Sequence, residues 1–491
     1  MSALSKNINR ILPAETLLYI FSILSSDAND NIQCRLTITI IATHVCQQWR
    51  YLLLEAAFIW GKLLVFDSDD GITTEPLLFE IIERSKTSPL WIESSRFPTP
   101  KDSRELLFQL LPSLWERMAR IKWILVGVGQ EEFESRYIPL LVRQAPLLEQ
   151  FDIRERFGEH LDLASAFQWN SLFSNQAPKL RHMATTFHSL SISINAPWLF
   201  NLTSLETGRR TVFTRSLDET LSILSRMPQL TSLILAHPIS EDISSLEQLS
   251  NYPIVNLIHL TYMAISGTLS VCHVLVDRIR SSASGCLVNF KADIVSSILS
   301  PKLMLISLFD NLMEANIRYL NGSNPLDWLF LSIELSTVRI GSRGVYSHKS
   351  ELEELFQTSH MSSSGISMEF SVARAYISET VPAMRTVFQS PPFQNITTLR
   401  LNCDTRIFSI YHSLFSVFTS VITLEISLDT MRYLEEHSNL GSRPHHLFSM
   451  SHHSILSQTS QKSASILNKM HTTIRGCCAT SFEEDHISSK E

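Results

Sequence analysis

The chain has 491 residues, 44% hydrophobic and 18% charged, with a formal net charge of -7. Its length fits two or three domains, or one small domain followed by a long repeat array. The acidic balance and the lack of any basic run argue against a nucleic-acid partner, which would need clustered Lys and Arg for phosphate. No apolar stretch reaches the roughly 18 residues of a bilayer span.

Residues 8–62 read as a compact unit of three helices. Pro13 suits a first helical turn, where its missing N–H costs nothing, and Glu15 complements the helix dipole there. Leu17, Ile20, Phe21 and Leu24 then recur at i, i+3, i+4 and i+7, one apolar face. A polar loop follows from Ser25 to Asn31. The stretch Leu36–Val45 is rich in Thr and Ile and locally prefers strand, yet its place between two helical segments makes it the second helix. Trp49, Leu53, Ala56 and Trp60 fall at helical spacing, so one helix with an aromatic stripe is expected there. So small a unit buries little core, and this much hydrophobe in it points to a docking surface.

Residues 77–436 have a different texture. Short strand-like runs follow prolines: Leu148–Ile153 after Pro146, Leu180–Met183 after Pro178, Leu230–Leu235 after Pro228, Leu257–Tyr262 after Pro253, and Ile396–Leu401 after Pro392. Leu202–Leu205 and Val421–Ile426 lack the proline. Successive starts from Leu148 to Leu257 lie 32, 22, 28 and 27 residues apart. That spacing suits one strand and one helix or irregular return per repeat, stacked into a solenoid whose Leu faces bury only against neighbours. Helices are predicted over Leu217–Arg226, Leu269–Arg280, Asp310–Leu320 and Lys349–Gln357. Strands at wider spacing are predicted over Cys286–Phe290, Trp328–Leu335 and Ile366–Phe370. Residues 437–491, rich in Ser and His, read as a disordered tail.

The opening segment resembles the F-box. Its signature is carried by Leu12-Pro13-Ala14-Glu15-Thr16-Leu17-Leu18, then Val45-Cys46-Gln47-Gln48-Trp49-Arg50, then Ile59-Trp60. Two separated motifs in the right order make the likeness specific, although Gln47 and Gln48 replace the usual basic residues. The strand-like runs are similar to degenerate leucine-rich repeats, and the whole layout looks like the large fungal F-box families. The fold this implies is α/β: a three-helix F-box, an irregular repeat solenoid with a parallel sheet, then the tail. The implied role is substrate recognition in a cullin-type ubiquitin ligase. The box would bind a Skp-type adaptor, and through it a cullin, while the repeats hold a target protein. The implied adaptor-facing set is Leu12, Pro13, Leu17, Ile20, Phe21, Leu24, Val45, Cys46, Trp49, Arg50 and Trp60. The alternative is a non-ligase scaffold that uses the repeats alone.

Catalytic constellations are weak throughout. The histidine pairs His445-His446 and His452-His453 sit in the biased tail, adjacent Cys477-Cys478 suit a shared zinc poorly, and no CxxC exists. The sequential Glu pairs do not share a helix face. No phosphate-cradling or nucleophile-elbow motif is present. No catalytic residue, metal or cofactor is therefore expected. Seven cysteines, odd in number and mostly scattered, fit a reducing compartment. With no secretory pattern at the N-terminus, the expected location is cytoplasmic or nuclear, with no membrane partner.

Overall fold

The computed structural model describes residues 12–26, 32–65, 74–94, 101–125, 130–155, 169–185, 195–208, 216–236, 251–281, 286–294, 307–308, 311, 328–334, 337–342, 367–372, 377–389, 391–394, 396–403, 414 and 417–426. It is a mixed α/β structure that divides into two compact units, Met1–Pro238 and Ile239–Glu491. Among the described residues, no helix is long and apolar enough to cross a membrane. The expected tail and the helix at Lys349–Gln357 lie outside the described residues, as does nearly all of that at Asp310–Leu320.

The first unit opens with helices α1 (Ala14–Leu24), α2 (Ile32–Thr43), α3 (Gln47–Glu55) and α4 (Ala57–Trp60). The Pro13 carbonyl accepts the N–H groups of Thr16 and Leu17 at 3.1 and 3.2 Å, which starts α1. In α2, burial overrides the strand-prone composition. Leu36, Thr39, Ala42 and Thr43 are buried, and the Thr39 hydroxyl donates to the Arg35 carbonyl at 2.8 Å. The expectation of three helices is corrected to four. Ala56 leaves the helical region (φ -80°, ψ 72°), so Trp49 and Trp60 stand on separate helices. The break lets the Trp60 indole N–H donate to the Leu53 carbonyl at 2.7 Å.

Among the described residues, seven strands follow in this unit: β1 (Leu64–Val65), β2 (Leu90–Ser94), β3 (Met118–Leu125), β4 (Gln150–Glu155), β5 (His182–Thr185), β6 (Ser204–Thr207) and β7 (Ser232–Ala236). They pair in chain order, each parallel to the next. Helices α5 (Glu75–Arg84), α6 (Lys101–Leu114) and α7 (Leu217–Ser225) lie between them in sequence. Ile92, Ile121, Phe151, Met183, Leu205 and Leu233 are register partners across six strands, and all are buried. Residues two apart on a strand share a face, so this row runs along the buried side.

Each strand from β4 to β7 is launched the same way. The Leu two residues ahead of it (Leu148, Leu180, Leu202, Leu230) is fully buried. The carbonyls of Glu149, Arg181 and Thr203 each accept two N–H groups from the start of the following strand, at 2.8 to 3.1 Å. Thr203 and Thr231 add hydroxyl bonds to the carbonyls of Arg181 and Thr203, at 3.1 and 2.9 Å. The second unit repeats the device: the Thr397 carbonyl accepts Ile422 and Thr423 N–H at 2.8 and 2.9 Å.

The helices and the sheet meet at Gly61. Its carbonyl accepts the Trp91 N–H at 2.7 Å, and a Cβ added there would lie 2.5 Å from the Pro89 carbonyl oxygen. Backbone cannot yield as a flexible side chain does. Gly61→Ala is expected to cost about 1–3 kcal/mol through overpacking. A denaturant midpoint equal to wild type would contradict this close approach.

The second unit contains β8 (Val255–Asn256), β9 (Tyr262–Thr268), α8 (Leu269–Arg278), β10 (Ile279–Arg280), β11 (Leu287–Ile294), β12 (Trp328–Glu334), β13 (Thr337–Ser342), β14 (Ser367–Val372), α9 (Ile377–Phe388), β15 (Thr398–Cys403) and β16 (Thr423–Ile426). Its main sheet runs β9-β11-β14-β13-β12-β15-β16. The pairs β9–β11, β11–β14, β12–β15 and β15–β16 are parallel as expected, but β13 is antiparallel to both its neighbours. Only two residues separate β12 from β13. Such a link closes a hairpin, whereas a parallel crossover needs a dozen residues or more.

Candidate functional site

Helix α1 is apolar around most of its circumference, through Leu17, Leu18, Tyr19, Ile20, Phe21, Ile23 and Leu24. A helix of that kind belongs in an interior. Yet only Leu17 and Phe21 are buried among these seven, and Tyr19, Ile20, Ile23 and Leu24 are exposed at 68, 39, 50 and 40%. These four stand at i, i+1, i+4 and i+5 and form one contiguous stripe. A second stripe, Ile38, Ile41 and Val45, follows i, i+3, i+7 along α2 and just past its end, exposed at 38, 60 and 55%. Tyr51 on α3 and Phe58 on α4 are also exposed. The remaining exposed large hydrophobics among the described residues are Phe79, Phe200, Ile254, Ile258 and Ile422, dispersed in sequence. Scattered apolar side chains are ordinary, but a concentration marks an interaction surface.

The residues implied by the F-box likeness divide three ways. Pro13, Ile20, Leu24, Val45 and Arg50 are exposed, and Leu12, Cys46 and Trp49 are half-buried. Leu17, Phe21 and Trp60 are core. They support the surface from beneath: the Phe21 and Trp49 rings meet edge to face at 5.0 Å. The Cys46 thiol accepts the Trp49 N–H at 3.5 Å and caps α3. Arg50 bends back, its Nε donating to the Thr43 carbonyl at 3.0 Å and its Nη2 lying 3.2 Å from His44 Nδ1. Tyr19, Ile23, Ile38, Ile41, Tyr51 and Phe58 join the surface without having been singled out from sequence. Gln47 and Gln48 are exposed too, so the neighbourhood is apolar and nearly uncharged. Depletion of charge characterises the centre of a protein interface.

The helical unit is anchored to the sheet by charge. Arg35 on α2 reaches Glu93 on β2 at 2.7 Å, and Lys122 on β3 reaches the other Glu93 oxygen at 2.7 Å. Burial opposes ionisation of Glu93, but Lys122, Arg35 and Arg120 outweigh it and hold the carboxyl below its ordinary range.

The sheet face opposite the apolar row carries Glu93, Lys122, Asp152, Ala184 and Glu206 in register. Arg154 bridges two of them, with Nε 2.8 Å from Asp152 and Nη2 3.0 Å from Glu206. Burial pushes the Glu206 carboxyl up to about 7, against the pull of Arg154. A carboxyl raised in the folded state binds its proton more tightly than in the unfolded chain. Stability is therefore expected to fall as pH rises from about 4.5 to about 7. Glu206→Gln keeps an acceptor for Arg154 and should flatten that part of the pH–stability curve. A curve of unchanged slope would refute the assignment.

Catalytic arrangements are sparse among the described residues. Among the described residues, no group of three His, Cys, Asp or Glu side chains could hold a metal ion. His273 Nε2 lies 3.0 Å from Ser307 Oγ, but its Nδ1 is buried without a hydrogen-bond partner. Burial pushes the Cys286 thiol up to about 12 and raises the Cys272 thiol as well, so neither is a ready nucleophile. Neither protein-family models nor curated proteins match the chain.

Proposed function

We propose that this chain is the substrate-recognition subunit of a cullin-type ubiquitin ligase. The helices over residues 12–60 act as an F-box that binds a Skp-type adaptor. The strand-bearing region behind them acts as an irregular leucine-rich-repeat solenoid that holds a target protein. The observation that carries this reading is the concentration of exposed apolar side chains, Tyr19 to Phe58, on the same helices that bear the two-part F-box signature. The repeated Leu-and-carbonyl launch of β4 to β7 supports the repeat reading. The chain performs no chemistry of its own. It raises the effective concentration of a target lysine near a charged ubiquitin-conjugating enzyme, in the cytoplasm or nucleus.

The test is co-purification of the full chain with the endogenous adaptor, compared with a Leu12→Ala/Pro13→Ala variant. Recovery above background that falls in the variant is the expected result. Recovery never above background would overturn the reading. The exposed, uncharged Gln47 and Gln48 favour a second reading, a scaffold whose box serves assembly only. Adaptor capture without cullin-dependent turnover of any bound partner would select it.

A further inference from the structure

Arg120 lies at the start of β3 on the sheet's polar face, in a row with Trp91, Gln150, His182 and Ser204. It is 8% exposed, and its Nε is buried and donates to nothing. The nearby carboxylates are engaged by other cations: Glu93 by Arg35 and Lys122, Asp152 by Arg154. Arg120 instead places its guanidinium carbon 5.2 Å from the Trp91 ring centroid. Lys62 Nζ lies 5.0 Å from the same centroid and is hydrogen-bonded to the Ser26 and Ser22 hydroxyls. Lys62 and Arg120 thus share the Trp91 ring, while Arg35 and Lys122 hold Glu93 two residues along the strand; Glu93 and Asp152 both lie within electrostatic reach of Arg120. The Arg35 Nε is likewise buried and unpartnered.

A buried guanidinium Nε–H with no acceptor is costly unless something supplies an oxygen atom. Its planar fork matches a carboxylate or phosphoryl group with two parallel N–H···O bonds. Trp91 and Gln150, the neighbours of Arg120 in the row, are only half-buried, and His182 further along it is exposed. We propose that Arg120, seated on Trp91, is the centre of an oxyanion-binding site on this face, taking the phosphoryl or carboxylate group of a ligand. The positive field there extends to His182, whose imidazole is held below its ordinary range by desolvation and then by Arg120 and Arg181, against Glu149.

The site is tested without any adaptor, so its outcome is independent of the ligase reading. The full chain is titrated calorimetrically with inorganic phosphate and, separately, with acetate, each against chloride at matched ionic strength. Saturable binding of at least one is expected, and the arm that responds identifies the group. Arg120→Met should weaken that binding by about 10–100-fold, the worth of one charge-assisted hydrogen bond. The His182 imidazole, followed by NMR, should titrate higher when the anion binds to wild type and stay unmoved in the variant. Arg120→Lys keeps the charge without the fork, and should bind more weakly than wild type while remaining folded should the Met variant fail to fold. Absence of saturable binding of either anion to wild type, or undiminished binding in the variants, overturns the site.

Discussion

Trp60→Ala is expected to destabilise the first unit by about 3–5 kcal/mol, the cost of truncating a buried aromatic side chain. Trp60 is 2% exposed. Its indole N–H holds the Leu53 carbonyl across the α3–α4 break, and the Arg84 guanidinium carbon lies 4.8 Å from its ring centroid. The change removes ring packing and the shorter of two hydrogen bonds to that carbonyl, leaving only the one from the Ala56 N–H at 3.2 Å. Whole-domain stabilities are about 5–15 kcal/mol, so much of the margin goes. The check is a urea midpoint followed by circular dichroism. A loss below about 1 kcal/mol, the scale of an ordinary substitution, would contradict the core position. Adaptor binding should fall in this variant only as far as folding falls.

The surface variant should behave in the opposite way. Ile20→Asp with Leu24→Asp alters two exposed positions on α1, and surface changes ordinarily stay within about 0.5 kcal/mol. Adaptor affinity, however, is expected to drop about 100-fold or more, because charge placed in an apolar contact must be desolvated and buried hot-spot residues commonly carry 2 kcal/mol or more each. Paired measurement of thermal midpoint and adaptor affinity separates the two variants. An Ile20→Asp/Leu24→Asp protein with native stability and wild-type affinity would remove α1 from the interface. The contrast matters because Trp60 and Ile20 belong to the same implied adaptor-facing set, yet one supports the surface and the other forms it.

Much of this arrangement was legible in the residues. Pro13 and Glu15 mark the start of α1, and the proline-led Leu runs mark β4, β5, β7, β9 and β15, with the strands starting two to five residues after the first apolar residue of each run. The offset has a physical cause: the first Leu packs beneath the turn, and pairing begins only after the chain has bonded to the preceding carbonyl. Strands β1 to β3 were not legible. Leu64–Val65 is two residues long, and Met118–Leu125 interleaves Arg120 and Lys122 with its apolar positions. Those cations look like a solvated surface until the sheet places Glu93 beside them. The hairpin of β12 and β13 was also missed, because the repeat pattern looser than residue 265 gives no signal for strand direction.

The exposed apolar face proposed for docking was half legible. A nearly continuous run from Leu17 to Leu24 says that α1 is apolar, but which members face inward depends on where α3 packs. Phe21 is core because Trp49 meets it edge-on, and Tyr19 and Ile23 are thereby turned outward. Side chains of the same type occupy both positions, so composition cannot distinguish them. The β-branched α2 shows the same dependence: Thr39 and Thr43 are buried while Ile38 and Ile41 are not, the reverse of what their polarity alone would give.

The central claim, that the exposed apolar face of the N-terminal helices docks a Skp-type adaptor, is tested most directly by amide hydrogen exchange of the full chain with and without purified adaptor. Protection gained across Ala14–Leu24 and around Ile38–Tyr51, with β4 to β7 unchanged, is the predicted result. Exchange in these helices that is unaltered at saturating adaptor, or protection confined to the sheet, would contradict it.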